Sequence, residues 1–150
     1  MEIKWVDTHC HLQLLDKNLD ENHYKNIEFL IIPGVDVESS SNAKEISSSL
    51  EIESYWSAGL HPHDAKLLDT QRNDLEKLFV EADLIGETGL DFYRNLSTKE
   101  EQRENFLFHL DFSKQLNKPI IIHCRDSFQD TYDLLVEFNN PSSVILHSWT

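Results

Sequence analysis

Basic residues are scarce in this 150-residue sequence: 13 Lys and Arg stand against 27 Asp and Glu, a formal net charge of −14. That balance excludes a protein that grips duplex DNA on a basic surface or settles on an anionic membrane by charge. An enzyme on nucleic acid stays open if its site carries its own metal charge. Two divalent ions would move −14 only to about −10. Cysteine is nearly absent. Cys10 and Cys124 make no disulfide framework, so a reduced, cytoplasmic protein is expected. No run approaches the ~18 apolar residues of a membrane span, and Met1–Trp5 lacks the apolar segment of a secretory signal. Repeats, low-complexity tracts and linkers are missing too. The length suits a single domain, 1–150. It is short for a complete eight-stranded α/β barrel, which takes about 250 residues and rarely fewer than ~200.

What is present is a regular alternation. Strands are expected at Ile3–Asp7, Phe29–Pro33, Tyr55–Gly59, Leu84–Gly86, Pro119–His123 and Val144–His147. Three contain continuous apolar runs, as strands covered on both faces require. Helices are expected between them. Ser97 or Thr98, each with a Glu three residues on, gives two overlapping capping boxes. Phe106, Leu110, Ser113 and Leu116 then form one stripe. A second helix fits Asn73 to Ala82, and a third fits Ser127 to Phe138, stopped by Asn139-Asn140-Pro141. The serine-rich segment 39–50 keeps helical spacing through Ala43, Ile46 and Leu50, the pattern of a solvated helix. Six βα units follow, in either an open doubly wound sheet or a barrel.

Six of the eight histidines fall at strand ends; His23 and His109 are surface or core side chains with no assigned role. His9 and His11, two apart, aim at one point while Cys10 faces away. Two converging imidazoles make half a site for a borderline metal, or are incidental. Glu87, flanked by Gly86 and Gly89, follows a short strand, where glycines let the chain turn sharply. One carboxylate can bridge two cations about 3.5–4 Å apart. Asp91 either supports such a site from behind or caps the next turn. His123 and His147 each follow three aliphatics, where an imidazole suits a second metal or simply hydrogen-bonds at the strand end. Arg125 fits a phosphate or carboxylate clamp, with Asp126 as an available partner.

Five segments together carry a resemblance. They are Val6-Asp7-Thr8-His9-Cys10-His11-Leu12, Gly59-Leu60-His61-Pro62-His63, and Ile85-Gly86-Glu87-Thr88-Gly89-Leu90-Asp91-Phe92-Tyr93. The other two are Pro119 to Asp126 and Val144 to Thr150. In this order and spacing the chain resembles the TatD family of metal-dependent deoxyribonucleases, among the amidohydrolase-like metallo-hydrolases. The resemblance implies a TIM-type (β/α)8 barrel, with about the first six βα units present and the site at the C-terminal face. It implies two divalent ions, Zn²⁺, Mg²⁺ or Mn²⁺. His9, His11 and Glu87 would hold one; Glu87, His123 and His147 the other. His61 and His63 would lie by the substrate phosphate, within reach of a further metal, with Arg125 a substrate contact. The implied reaction is hydrolysis of DNA phosphodiesters, single-stranded and exonucleolytic.

The sequence stops at the sixth strand, without the family's last two strands and the Asp after the eighth. That Asp is expected to complete the first metal site and orient the attacking water. General-base help is worth 10²–10⁴-fold, so its loss would cost about 3–5 kcal/mol. A fragment, a naturally short chain, or self-association through open sheet edges are the expectations that follow. Two other functions share the motifs: an amide or ester hydrolase (a deacylase) on the same site, and a non-catalytic metal-binding homologue.

Overall fold

The computed structural model describes residues 3–15, 21–138 and 143–147. Six strands, β1 (Trp5–Asp7), β2 (Ile27–Pro33), β3 (Glu53–Ala58), β4 (Leu84–Asp91), β5 (Ile120–Arg125) and β6 (Val144–His147), form one sheet. Helices α1 (Glu21–Tyr24), α2 (Val37–Ser49), α3 (Leu68–Glu81), α4 (Lys99–Leu116) and α5 (Phe128–Glu137) lie between them. Short 3₁₀ segments at Leu12–Leu14 and Pro62–Leu67 complete the described elements.

Strand order decides between the two architectures left open by the sequence. A doubly wound sheet reverses its order at a switch point. Here the order runs β1-β2-β3-β4-β5-β6 without reversal, and every pair is parallel. That is the winding of a barrel. The curl is visible in one contact. A flat sheet would hold β1 and β6 on the order of 24 Å apart, five strand spacings of ~4.8 Å. Yet the rings of His9, just beyond β1, and His147, ending β6, stack with centroids 3.4 Å apart. The six strands therefore bend into a half-barrel whose C-terminal ends converge.

The period of two along each strand builds two apolar layers. Ile32, Trp56, Ile85, Ile120 and Ile122 face the helices and pack with Leu75, Phe79, Phe106, Leu110 and Leu134. Ile31, Leu84 and Ile121, with Phe29, Tyr55 and Ile145, fill the concave face. Glu87, His123 and His147 share that concave face, one level above this floor. Continuous apolar runs are what such two-sided burial demands.

Several helices begin and end for local reasons. Of the two possible capping boxes, Thr98 with Glu101 forms, giving α4 its start. The hydroxyl of Ser97 instead donates to the His63 carbonyl. The Asp36 carboxylate accepts from Ser39 N and opens α2. This serine-rich helix is present as expected, but Ser39 and Ser40 are buried and so not solvated. Both hydroxyls have partners: Ser39 Oγ accepts from Gln13 and from Val35 N, and Ser40 Oγ donates to the Asp36 carbonyl. Helix α3 starts at Leu68, five residues before the expected Asn73, because the Pro62–Leu67 turns run directly into it. Helix α5 matches its expected span, capped by Ser127 and Phe138. The Asn139-Asn140-Pro141 stop lies outside the described residues.

Strand β4 is the main correction. A short strand ending at Gly86 was expected, with glycines turning the chain. The strand instead runs eight residues to Asp91, all buried. Gly86 (φ 109°) and Gly89 (φ 133°) kink it from within, and its register against β5 shifts between Ile85 and Thr88. A Cβ on Gly89 would sit 2.1 Å from the His123 carbonyl oxygen. The glycines thus permit a bulge and a close backbone approach. Gly89→Ala is expected to lose at least about 1–3 kcal/mol for backbone strain alone, read as a fall in the urea midpoint at unchanged slope.

His109 on α4 is a satisfied core side chain, while His23 is exposed. The His109 Nδ1–H donates to the Asn105 carbonyl, and Nε2 accepts from Leu60 N. Burial pushes its pKa down to about 4. A base with a depressed folded pKa stabilises fully above its unfolded value and loses that contribution as the pH falls. Between pH 6.5 and 4, His109 is therefore expected to withdraw about 3 kcal/mol. Chemical denaturation of wild type and His109→Gln across that range checks this: the variant should show the shallower fall.

Candidate metal centre

Strand ends deliver six histidines to two buried carboxylates, five of them to Glu87 and His63 to Asp91. Beyond β1, Cys10 N donates to the Ile31 carbonyl, so the chain continues alongside β2. His9 and His11 then turn to the same point, and Cys10 packs against the helix-side core. Their Nε2 atoms are 3.0 Å apart, and lie 3.1 and 3.4 Å from Glu87 Oε2. Glu87 Oε1 looks the other way. It is 3.1 Å from His123 Nδ1, 3.8 Å from His61 Nε2 and 4.0 Å from His147 Nε2. A second carboxylate lies behind. Asp91 Oδ2 is 2.8 Å from His63 Nε2 and 3.1 Å from His123 Nε2.

The donor set fits a metal. Ligands at about 2.0–2.1 Å from a tetrahedral ion are separated by roughly 3.3 Å. The three atoms around Glu87 Oε2, at 3.0, 3.1 and 3.4 Å from one another, approximate that spacing. Hydrogen bonds behind the ligands support it. His11 Nδ1 faces the Pro33 carbonyl at 3.0 Å, and a carbonyl only accepts. The proton therefore sits on Nδ1 and leaves the Nε2 lone pair aimed into the site, as a metal-binding imidazole needs. His123 is held the same way, with Asp91 receiving Nε2–H while Nδ1 faces Glu87. His9 Nδ1 is buried with no partner among the described residues.

His61 differs. Its Nδ1 accepts from the backbone N–H of His63 at 3.2 Å, so a neutral ring carries its proton on Nε2. Burial lowers its pKa to about 3, against the opposing pull of Glu87. His61 is a neutral donor pointing into the site. By distance alone it groups with Glu87 and His123, as His9 groups with Glu87 and His147. The hydrogen on Nε2 makes it a better partner for substrate oxygen than for a cation.

Burial alone would raise the pKa of Glu87, but the His11, His123 and His9 rings around it outweigh that and hold the carboxyl far below the usual range. For Asp91, burial is again outweighed, by the Arg94 N–H, His63 and His123, bringing it to about 2. His123 is pushed up, because Glu87 and Asp91 on its two sides overcome the cost of its burial. His147 is pushed down by burial and by His9.

The six strand-end histidines and Glu87 come together here, at a cleft of about 320 Å³ lined by His11, His61, His63, Glu87, His123 and His147, with Val35 and Asp64. Arg125 does not line the cleft. It forms no ion pair with Asp126 among the described residues, and lies over the Tyr93 ring instead. Asp91 fills both roles left open for it, since Oδ1 caps the turn through Tyr93 N and Arg94 N. What the sequence did not reveal was the Pro33 carbonyl behind His11 and the proton placement on His61. Backbone groups brought from distant strands carry no residue-type signal.

Comparison with known proteins points the same way. Residues 6–150 match the family model described as TatD related DNase. The chain is 32% identical over 161 residues to an uncharacterized metal-dependent hydrolase of Buchnera aphidicola subsp. Baizongia pistaciae, covering 97% of this chain and 59% of that protein. It is 34% identical over 126 residues to the 3′-5′ ssDNA/RNA exonuclease TatD of Escherichia coli K12, covering 81% and 48%. The crystal structure of YjjV, a TatD homologue from Escherichia coli K12, superposes with a TM-score of 0.88 at 21% identity, covering 100% and 62%. The chain thus spans about half to three-fifths of the length of these proteins.

Isothermal titration with Zn²⁺ or Mn²⁺ checks the centre. Glu87→Ala is expected to abolish binding, and Asp91→Asn to weaken it 10–100-fold. Unchanged stoichiometry and affinity in Glu87→Ala would overturn the assignment.

Proposed function

Because this chain belongs to the TatD-related DNase family, we propose that its centre hydrolyses phosphodiester bonds of DNA. The substrate is a single strand, shortened from one end, with two divalent ions (Zn²⁺, Mg²⁺ or Mn²⁺) as cofactors. The name of the Escherichia coli relative, a 3′-5′ ssDNA/RNA exonuclease, supports this substrate class. The observation that carries the reading is the division of Glu87. One oxygen faces His9 and His11; the other faces His123, His61 and His147. His9, His11 and Glu87 would hold one ion, and Glu87, His123 and His147 the other.

When bound, such ions supply Lewis acidity, lowering the pKa of water and offsetting charge on phosphoryl oxygens. The chain's own residues do the rest. Glu87 stays ionised and bridges the two donor sets. Asp91 keeps the His123 ring in place by receiving its Nε2–H, and holds His63 beside it. His61 Nε2–H remains a neutral donor at pH 7, available to a phosphoryl oxygen as its charge grows. Arg125, two residues past His123 on β5, supplies a cation to a substrate phosphate.

Incubation of 5′-labelled single-stranded DNA with Mn²⁺ or Zn²⁺ tests the proposal. A stepwise ladder is expected. Glu87→Ala and His123→Ala should each lower the rate at least about 100-fold, and His61→Gln about 10²–10³-fold. Intact DNA together with hydrolysis of acyl esters or amides would replace this reading with a deacylase.

A further inference from the structure

Next to the carboxylate that holds His123 and His63 in place, the chain carries an aromatic ring that the chemistry so far leaves unused. Tyr93 is two residues past Asp91, and the residue is 59% exposed. A tyrosine kept for packing hides its ring and finds a partner for its hydroxyl. Tyr93 does neither: its hydroxyl makes no hydrogen bond among the described residues. Yet its position is well defined. Tyr93 N donates to Asp91 Oδ1 at 3.0 Å, and Arg94 N to the same oxygen at 2.8 Å. The other oxygen of that carboxylate holds His123 and His63. The platform for the ring and the platform for the site are therefore one side chain.

Arg125 completes the arrangement. It pairs in register with Asp91 across β4 and β5, and lies on the same strand face as His123. Two residues along a strand place it on the order of 7 Å outward from that histidine. Its guanidinium carbon is 3.9 Å from the Tyr93 ring centroid. Arg72 and Arg103 pair with Glu104 and Glu137. Arg125 takes no carboxylate partner among the described residues, in a chain where acids outnumber bases about two to one. A guanidinium stacked flat on a ring keeps its N–H edge free for an anion.

We propose that Tyr93 is a stacking platform for a substrate base, with Arg125 gripping the adjoining phosphate, so that the site selects unpaired nucleic acid. This rests on the reading of the centre as a phosphodiesterase and adds the means of substrate selection. A base inside a duplex has both faces covered by its neighbours, whereas one in a single strand can offer a face to an aromatic ring. The stack tolerates any base, since each has a π-face. With a net charge of −14 the general surface repels a phosphate backbone. Affinity must then come from such local contacts.

The test uses a single-stranded oligonucleotide carrying 2-aminopurine at its 3′ end, titrated with the full chain in the presence of a chelator. Stacking quenches the fluorophore. Wild type is expected to bind with quenching and to prefer the single strand over the matching duplex. Tyr93→Leu should weaken binding about 5–150-fold and lose the quench, and Tyr93→Phe should restore both. Unaltered affinity and quench in Tyr93→Leu would overturn the proposal, as would a wild type that leaves the probe unquenched. Metal-dependent cleavage is scored separately. A quenched but uncleaved strand would sink the phosphodiesterase reading alone, and cleavage indifferent to Tyr93 would sink the platform alone.

Discussion

The constraint on which the structure turns is the burial of one ionised carboxylate. Glu87 is 2% exposed, and an isolated carboxylate in such a place would be costly by many kcal/mol. It is tolerated because imidazoles from the ends of several strands converge on it. That convergence requires the sheet to curl, since His9 and His147 belong to opposite edges. The curl in turn sets the layout of the core, with one apolar layer beneath the helices and a smaller one on the concave floor. Stability and chemistry are coupled here: the side chains that make the buried charge acceptable are those that would hold the ions.

Behind this first ring of contacts, a few groups decide protonation. The Pro33 carbonyl fixes the proton of His11, Asp91 that of His123 in a metal-holding state, and the His63 amide that of His61. Three chemically identical rings thereby acquire different roles. Two present lone pairs to the centre and one presents a hydrogen. The division follows from where each ring's second nitrogen finds its partner, a general way in which a protein assigns duties among histidines.

Glu87 and Asp91 lie on one strand, four residues apart, the first facing the cleft and the second behind its histidines. Gly86 and Gly89 make this possible. From sequence, the glycines fit a sharp turn at the mouth of a short strand. In the fold they sit inside an eight-residue strand and let its backbone press against β5. Propensity alone could not distinguish these uses, since the positive φ arises only when the neighbouring strand is in place.

Much was legible from residue order. Short apolar runs between helical patterns located all six strands to within a few residues, apart from the far end of β4. The Thr98–Glu101 box located the start of α4, and the strand-end positions of His9, His11, Glu87, His123 and His147 marked the candidate ligands that the fold brings together. These features are local, and short-range geometry determines them. Tertiary structure alone decided the rest: a barrel-like winding in place of a doubly wound sheet, the two-sided division of Glu87, the proton on each imidazole, and the pairing of Arg125 with Tyr93 in place of Asp126. Each depends on which strand lies beside which, and on backbone groups whose positions no residue type announces.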